Sequence, residues 1–348
     1  MGIGPIRFDV LINHFGTVEK AYKADRGELK ELLGNALTEK FIEFRNEFDP
    51  IKKLDEFKQK EIRVLTREDN RLPRQLKNIS DPPICLYIKG DVDNYDFEKE
   101  FFFGVVGTRK QTSYGEQIGY KFAFDLAYSG FIIVSGLALG IDAIAHRAAL
   151  DAGAKTIAFM GCGVDLPHPP SNSALYERII ETGGLVISEF PPGMTVIKGL
   201  FIARNRLISG LSQGVLVIEG AKDSGALITA RYAAEQGKEV FAPPAPITSE
   251  MSEAPNLLLK EGAKLVTSVD DILEELNMKI APIKKKKLTD LLSKEEAVII
   301  DLLSSEPKLA DELGLRLKLS IGETLQLLSG LEIKGAVEKN NEGKYQLR

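Results

Sequence analysis

Apolar positions along this chain fall into three regimes. Over residues 1–60 they recur at three- and four-residue spacing: Phe8, Leu11, Ile12 and Phe15, then Leu29, Leu32, Leu33, Leu37 and Phe41, with Gly16 and Gly34 as breaks. That period predicts a small helical domain. Over 61–276 short β-branched and aliphatic runs take over, at 62–65, 84–88, 102–106, 131–134, 156–160, 185–187, 215–218, 239–241 and 265–266. Helical patterns lie between most of them, at 113–129, 143–152, 174–182, 226–236 and 270–276. Strands apolar at nearly every position are covered on both faces. The rhythm therefore predicts βαβ units in a Rossmann-like, mostly parallel, doubly wound sheet.

The third regime begins with a linker at 277–287, which holds Pro282 and ends in Lys284-Lys285-Lys286-Lys287. A lysine run of this kind reads as solvated chain. Beyond it, Leu291, Val298, Ile299 and Leu302 fit one helix, and 309–313 and 320–328 fit two more about a turn at Gly314. Runs at 336–338 and 345–347 flank Asn341-Glu342-Gly343 as a hairpin. Three helices and a hairpin predict a winged-helix-like domain over 288–348, a layout that also serves for dimerisation or docking without DNA. At the other end, Gly2-Ile3-Gly4-Pro5 before a helix is half of a helix-hairpin-helix pattern, whose glycines let backbone amides approach a phosphate.

Composition narrows the classes. With 44% hydrophobic and 27% charged residues, disorder, collagen and long coiled coils are excluded. Lys and Arg number 45 against 50 Asp and Glu, a net charge of −5, so a polyanion site has to be local. Cys85, Cys162 and three histidines make neither a disulfide framework nor a zinc cluster, and no metal or cofactor is expected. The start lacks a basic stretch followed by an apolar run, and the apolar stretch 130–150 is broken by Asp142, His146 and Arg147. A cytoplasmic protein with no membrane segment is expected.

In an open parallel sheet, ligands collect outside the carboxyl ends of the strands. Three glycine turns follow predicted strands there: Gly107-Thr108-Arg109-Lys110, Ser135-Gly136-Leu137-Ala138-Leu139-Gly140 and Gly161-Cys162-Gly163. Together with Arg109, and with free amides expected at Thr112 and Ser113, they predict an anion-binding rim. Neither a Walker loop, a Gly-x-Gly-x-x-Gly dinucleotide turn nor a Gly-x-Ser-x-Gly elbow is present. The segment Lys198-Gly199-Leu200-Phe201-Ile202-Ala203-Arg204-Asn205-Arg206 sets three cations around one aromatic ring, the elements of a single-strand surface. Over 104–219 there are nine Lys or Arg and nine Asp or Glu, so this cluster is a local feature. On composition alone Phe201 fits equally a core position at a helix start.

Several ordered motifs then combine: Gly107-Thr108-Arg109 with Tyr114-Gly115; Ser135-Gly136-Leu137-Ala138 with Gly140-Ile141-Asp142-Ala143; Pro169-Pro170 with Asn172; Ser188-Glu189-Phe190-Pro191-Pro192-Gly193; Arg204-Asn205-Arg206-Leu207-Ile208-Ser209-Gly210; and Ser224-Gly225-Ala226-Leu227-Ile228-Thr229-Ala230. Across about 61–276 the chain resembles the DprA/Smf family, DNA-processing protein A. The resemblance implies a non-catalytic, single-stranded DNA-binding protein of natural transformation. Such a protein protects incoming DNA, dimerises through the Rossmann-like domain and loads the RecA recombinase. It puts the family's DNA-contacting arginine on Arg109, and its lysine and stacking phenylalanine on Lys198 and Phe201. The wider DNA-binding set expected around them is Gly107, Thr108, Lys110, Gly136, Arg204, Asn205 and Arg206. The family's Phe-Pro-x-Arg-Asn-Arg here reads Phe201-Ile202-Ala203-Arg204-Asn205-Arg206, and its Val-Pro-Gly reads Pro243-Pro244-Ala245. The alternative is a nucleotide-processing enzyme, similar to nucleoside monophosphate phosphoribohydrolases on a related fold. Those enzymes place a glutamate early in the helix after the Gly-rich loop, whereas here Ala230-Arg231-Tyr232-Ala233-Ala234 precedes Glu235. Glu189 and Glu219 are the acid or base candidates, otherwise expected to bind backbone amides and order the rim.

Overall fold

The structure, a computed structural model, describes residues 2–278, 293–303, 306–317, 319–333, 336–340 and 343–347. The lysine run and all of the expected linker beyond Met278 lie outside the described residues. So do Leu291, Asn341 and Glu342. The chain divides into two units, Met1–Ala281 and Pro282–Arg348.

The first unit opens with five helices, α1 (Pro5–Phe15), α2 (Val18–Lys23), α3 (Arg26–Leu33), α4 (Asn35–Glu47) and α5 (Pro50–Gln59). Their ends obey local chemistry. Gly16 and Gly34 stop α1 and α3 at positive φ, while Asp25 and Asp49 accept the first free amides of α3 and α5. Leu11, Ala21, Ala24, Leu29 and Phe41 make a small core of their own. Phe57 and Ile62 instead join the side chains beneath the sheet, which ties α5 to the α/β domain.

Next come β1 (Arg63–Thr66), α6 (Arg74–Lys77), β2 (Cys85–Lys89), β3 (Phe101–Val106), α7 (Ser113–Tyr128), β4 (Phe131–Ser135), α8 (Ile141–Asp151), β5 (Thr156–Met160) and α9 (Ser173–Glu181). After them the chain forms β6 (Leu185–Ser188), α10 (Lys198–Leu211), β7 (Gly214–Val217), α11 (Gly225–Glu235), β8 (Glu239–Ala242), α12 (Glu253–Lys260), β9 (Lys264–Leu265) and α13 (Val269–Glu275). Among the described residues the nine strands form one sheet in the order β1-β2-β6-β5-β4-β3-β7-β8-β9. From β6 to β9 all neighbours are parallel, and β1 and β2 extend one edge antiparallel. Every predicted strand forms, with ends within one residue of expectation.

Alternation along each strand builds two cores. Phe102, Val106, Val134 and Phe159 face Leu207, Ile208 and Leu211 of α10 and Ala226 and Ala230 of α11. Phe103, Val105 and Ile133 face Phe122 and Leu126 of α7, Ile144 and Ala148 of α8 and Ile272 of α13. Side chains two apart share a face, so one strand serves both layers. Helix α10 was not among the predicted helices, because the buried Arg204 and Arg206 break its apolar stripe.

The second unit holds α14 (Lys294–Leu303), α15 (Ala310–Leu317) and α16 (Ile321–Ile333), then β10 (Val337–Lys339) antiparallel to β11 (Tyr345–Leu347). This is the expected winged-helix layout around Ile299, Leu303, Leu313, Leu328, Leu331 and Tyr345. One detail is corrected. Gly314 is no turn but lies inside α15, where a Cβ would come within 2.9 Å of Thr324 Oγ1. The glycine lets α16 approach closely.

Because each unit has its own core, ending the chain at Met278 is expected to leave a folded first unit. It should keep its circular-dichroism spectrum and melt in a single cooperative transition. An insoluble or non-cooperative fragment would show that the units depend on each other.

Candidate functional site

Winding reverses between β3 and β7: β3 to β6 proceed one way across the sheet, and β7 returns to pair with β3 in parallel. Loops leaving these two strands diverge and open a crevice at their carboxyl ends. A cleft of about 770 Å³ lies there. Its walls are residues 107–110 after β3, Phe201, Ile202 and Asn205 of α10, and Ser224, Gly225 and Ala226 where α11 begins.

The β3 loop is held from both sides. Thr108 N–H donates to Glu219 O (2.7 Å), and Thr108 O accepts from Ile141 N–H (3.1 Å). The buried Glu219 carboxylate takes the Thr112 amide at 2.9 Å and the Thr112 hydroxyl at 2.6 Å. The expectation of a free amide at Thr112 is therefore corrected, since Glu219 already occupies it. Gly140 lies against the same loop with φ +78°, and a Cβ there would come within 2.2 Å of Thr108 O and 2.8 Å of Arg109 Cα. Only glycine meets both demands. The backbone is fixed, while the Arg109 and Lys110 side chains stay exposed.

Phe201 is half-buried, its ring so close to Gly161 that a Cβ there would lie 2.7 Å away. The His168 ring stands 5.8 Å from it, and the Arg109 guanidinium carbon lies 5.4 Å from its ring centre. A cation beside an aromatic face is an attractive arrangement that keeps both groups in place. Among the described residues Arg109 forms no ion pair, so its charge remains available. Lys198 is the first residue of α10, on the segment that carries Phe201.

Three residues expected to touch DNA are buried in the structure, although Arg204 still lines the cleft. Arg204 is 3% exposed, and its Nη1 donates to Phe159 O. Arg206 is buried, with ion pairs to Asp81 at 3.1 Å and Glu189 at 2.8 Å. Gly136 is buried beneath the Arg204 head, where a Cβ would sit 2.0 Å from Nη1. The physical reason is that α10 is packed on several sides, against β3, β4 and β5 and against α6 and α11. The two arginines leave it in nearly opposite directions, so both meet protein rather than solvent. Asn205 lines the cleft but spends its amide on Gly225 O (3.3 Å). The site thus gathers Gly107, Thr108, Arg109, Lys110 and Phe201.

Sequence reasoning passed over Asp142. Its buried carboxylate accepts from Gly136 N–H (3.1 Å) and Ala138 N–H (3.4 Å), closing the turn in which Leu137 takes φ +55°. An acid in the first turn of a helix after a glycine turn is the available signal. Burial pushes Asp142 above the usual carboxylate range against the pull of Arg204, and lowers Arg204 to about 10. The carboxylates of the enzyme reading are otherwise engaged: Glu219 by Thr112 and Glu189 by Arg206, while Glu235 is exposed at the far end of α11. Only Glu219 orders the rim through a backbone amide as expected; Glu189 binds a guanidinium instead.

A crevice at the switch point of a doubly wound Rossmann-like sheet, with exposed cations and an aromatic ring at its mouth, defines an α/β protein suited to phosphate-bearing ligands. The sequence matches DNA recombination-mediator protein A over residues 63–277 and the DprA winged helix domain over 283–343. The chain belongs to the DNA recombination-mediator protein A (DprA/Smf) family. Protein Smf of Synechocystis sp. is 36% identical over 384 residues, covering 100% of this chain and 96% of that one. The structure of DNA processing protein A from Streptococcus pneumoniae matches with TM-score 0.69 and 36% identity over 79% of this chain and 94% of that chain. DNA processing protein A from Helicobacter pylori, known for a unique single-stranded DNA binding mode, matches with TM-score 0.54 and 32% identity. That likeness covers 62% of this chain and 96% of that one.

The layer below the rim has a pH signature. Thr156 hydroxyl donates to Ile133 O (2.7 Å), so it accepts from His146 Nδ1–H (2.7 Å). Burial, aided by the Arg204 charge, lowers His146 from 6.5 to about 3. The unfolded chain therefore takes up a proton near pH 6.5 that the folded one refuses. Stability is full above that pH and falls below it, at roughly 1.4 kcal/mol per unit. Chemical denaturation between pH 7 and 5 should show this slope, and His146→Gln should remove that part of it.

Proposed function

We propose that the first unit binds single-stranded DNA across the mouth of the crevice. Arg109, Lys110 and Lys198 take phosphates, Phe201 stacks a base, and the backbone at Gly107 and Thr108 lets the strand approach. The observation that carries this reading is the exposed Arg109 guanidinium, without an ion pair among the described residues, 5.4 Å from the half-exposed Phe201 ring. Phosphate and base of one nucleotide need a cation and an aromatic face side by side. Family membership and the single-stranded DNA binding described for the Helicobacter pylori relative support it.

The protein acts as a binding platform rather than a catalyst. In natural transformation it shields incoming strands and hands them to a RecA recombinase, working as a homodimer through the Rossmann-like domain. These finer roles rest on the family resemblance.

Fluorescence anisotropy with single-stranded and duplex oligonucleotides at several salt concentrations tests the site. The single strand should bind more tightly. Arg109→Ala should weaken binding and flatten the log–log salt slope by about 0.7. Phe201→Ala should cost about 1–3 kcal/mol with the slope unchanged. Equal affinity for duplex, or a neutral outcome for both variants, would overturn the reading.

A further inference from the structure

We propose that Arg204 is a positioning residue, which touches no DNA but holds the Arg109 and Phe201 halves of the site in register from beneath. The proposal rests on the rim being the single-strand site. Phe201 and Arg204 are three residues apart on α10, so whatever fixes one fixes the other. Arg204 Nη1 is bonded to Phe159 O on β5, the strand that ends just before Gly161, and Gly161 seats the Phe201 ring. The same guanidinium fills the space over Gly136 and acts on Asp142, which closes the β4 turn through Gly136 and Ala138. At the end of that turn Gly140 presses on Thr108 O and Arg109 Cα, and Ile141 N–H bonds Thr108 O. One buried head group therefore reaches Phe201 through its hydrogen bond to β5 and the close approach at Gly161, and Arg109 through its close approach to Gly136 and the turn that ends against Thr108.

Stability does not account for it. A guanidinium has five donors, and among the described residues Arg204 Nε has no acceptor. A buried charge left partly unsatisfied costs free energy that an apolar side chain of similar volume would not. Arg206, buried on the same helix, differs. It spends its donors on Asp81, Glu189 and Ala203 O and meets none of the three glycine turns.

The test uses the full chain and three variants: Arg204→Lys, Arg204→Gln, and the charge-free pair Arg204→Met with Asp142→Asn, which leaves no lone buried ion. Each is checked for its circular-dichroism spectrum, then titrated with a single-stranded oligonucleotide carrying one 2-aminopurine. Affinity should fall between roughly fivefold and a hundredfold, the range open to a displaced stacking ring. The salt slope should stay that of the unaltered protein, and the fluorescence change of the stacked base should shrink. In a Phe201→Ala background, Arg204→Gln should add little, because the two changes remove one interaction.

A slope lowered by about 0.7 would make Arg204 a phosphate contact. Wild-type affinity, or full additivity with Phe201→Ala, would also overturn the proposal. If none of the three folds, Arg204 is a core residue and the proposal falls. Failure of the site itself looks different, since Arg109→Ala and Phe201→Ala would then be neutral as well.

Discussion

Two opposite charges buried beneath a glycine-lined rim set the terms for the rest of the first unit. Removing Asp142 and Arg204 from water costs several kcal/mol per ion, tolerable only where protein groups replace the lost hydration. The replacements are the amides of Gly136 and Ala138 and the carbonyl of Phe159, all at the ends of β4 and β5. Those strand ends must therefore lie where they do. The same demand removes any side chain at position 136, because the guanidinium already occupies that space. A second buried carboxylate, Glu219, does the equivalent for the β3 loop. The rim is rigid because its backbone polar groups are spent inward.

What is spent inward cannot be offered outward, and this divides the cations of the region. Arg204 and Arg206 belong to the interior. Arg109 and Lys110 stand on a loop whose backbone is pinned but whose side chains face water. A chain of net charge −5 offers no general attraction to a polyanion. In the proposed site Arg109, carried on a pinned loop with its guanidinium beside the Phe201 ring, supplies that attraction locally, with less conformational entropy to lose on binding than a mobile loop would have. The crevice lies at the reversal point of the sheet because only there do adjacent loops part.

The second unit obeys a different logic. Its helix α16 carries Glu323 and Glu332 and neither lysine nor arginine, and Ile321 and Leu325 are exposed on it. Groove-reading helices lean on phosphate contacts for much of their affinity. The case for DNA binding therefore rests on the first unit.

Periodicity was enough to foresee the nine strands, the helices α7, α8, α9, α11 and α13, and the winged-helix order, since each depends on a pattern repeated within about ten residues. Arg109 and Phe201 were legible as a cation and an aromatic in suggestive company. Composition could not say which of the cations near Phe201 reach solvent. Arg204 and Arg206 look like surface arginines in sequence, and only the packing of α10 on the sheet turned them inward. Glu219 gained its role the same way, by facing an amide 107 residues away in the chain, whereas Asp142 binds amides only four and six residues before it. Gly314 looked like a stop and is a contact. Local pattern determines which segments become helix or strand, because backbone period and side-chain alternation are local properties. Which charged groups are buried and which are free is decided by long-range packing, because desolvation and its compensation depend on neighbours that the sequence keeps far apart.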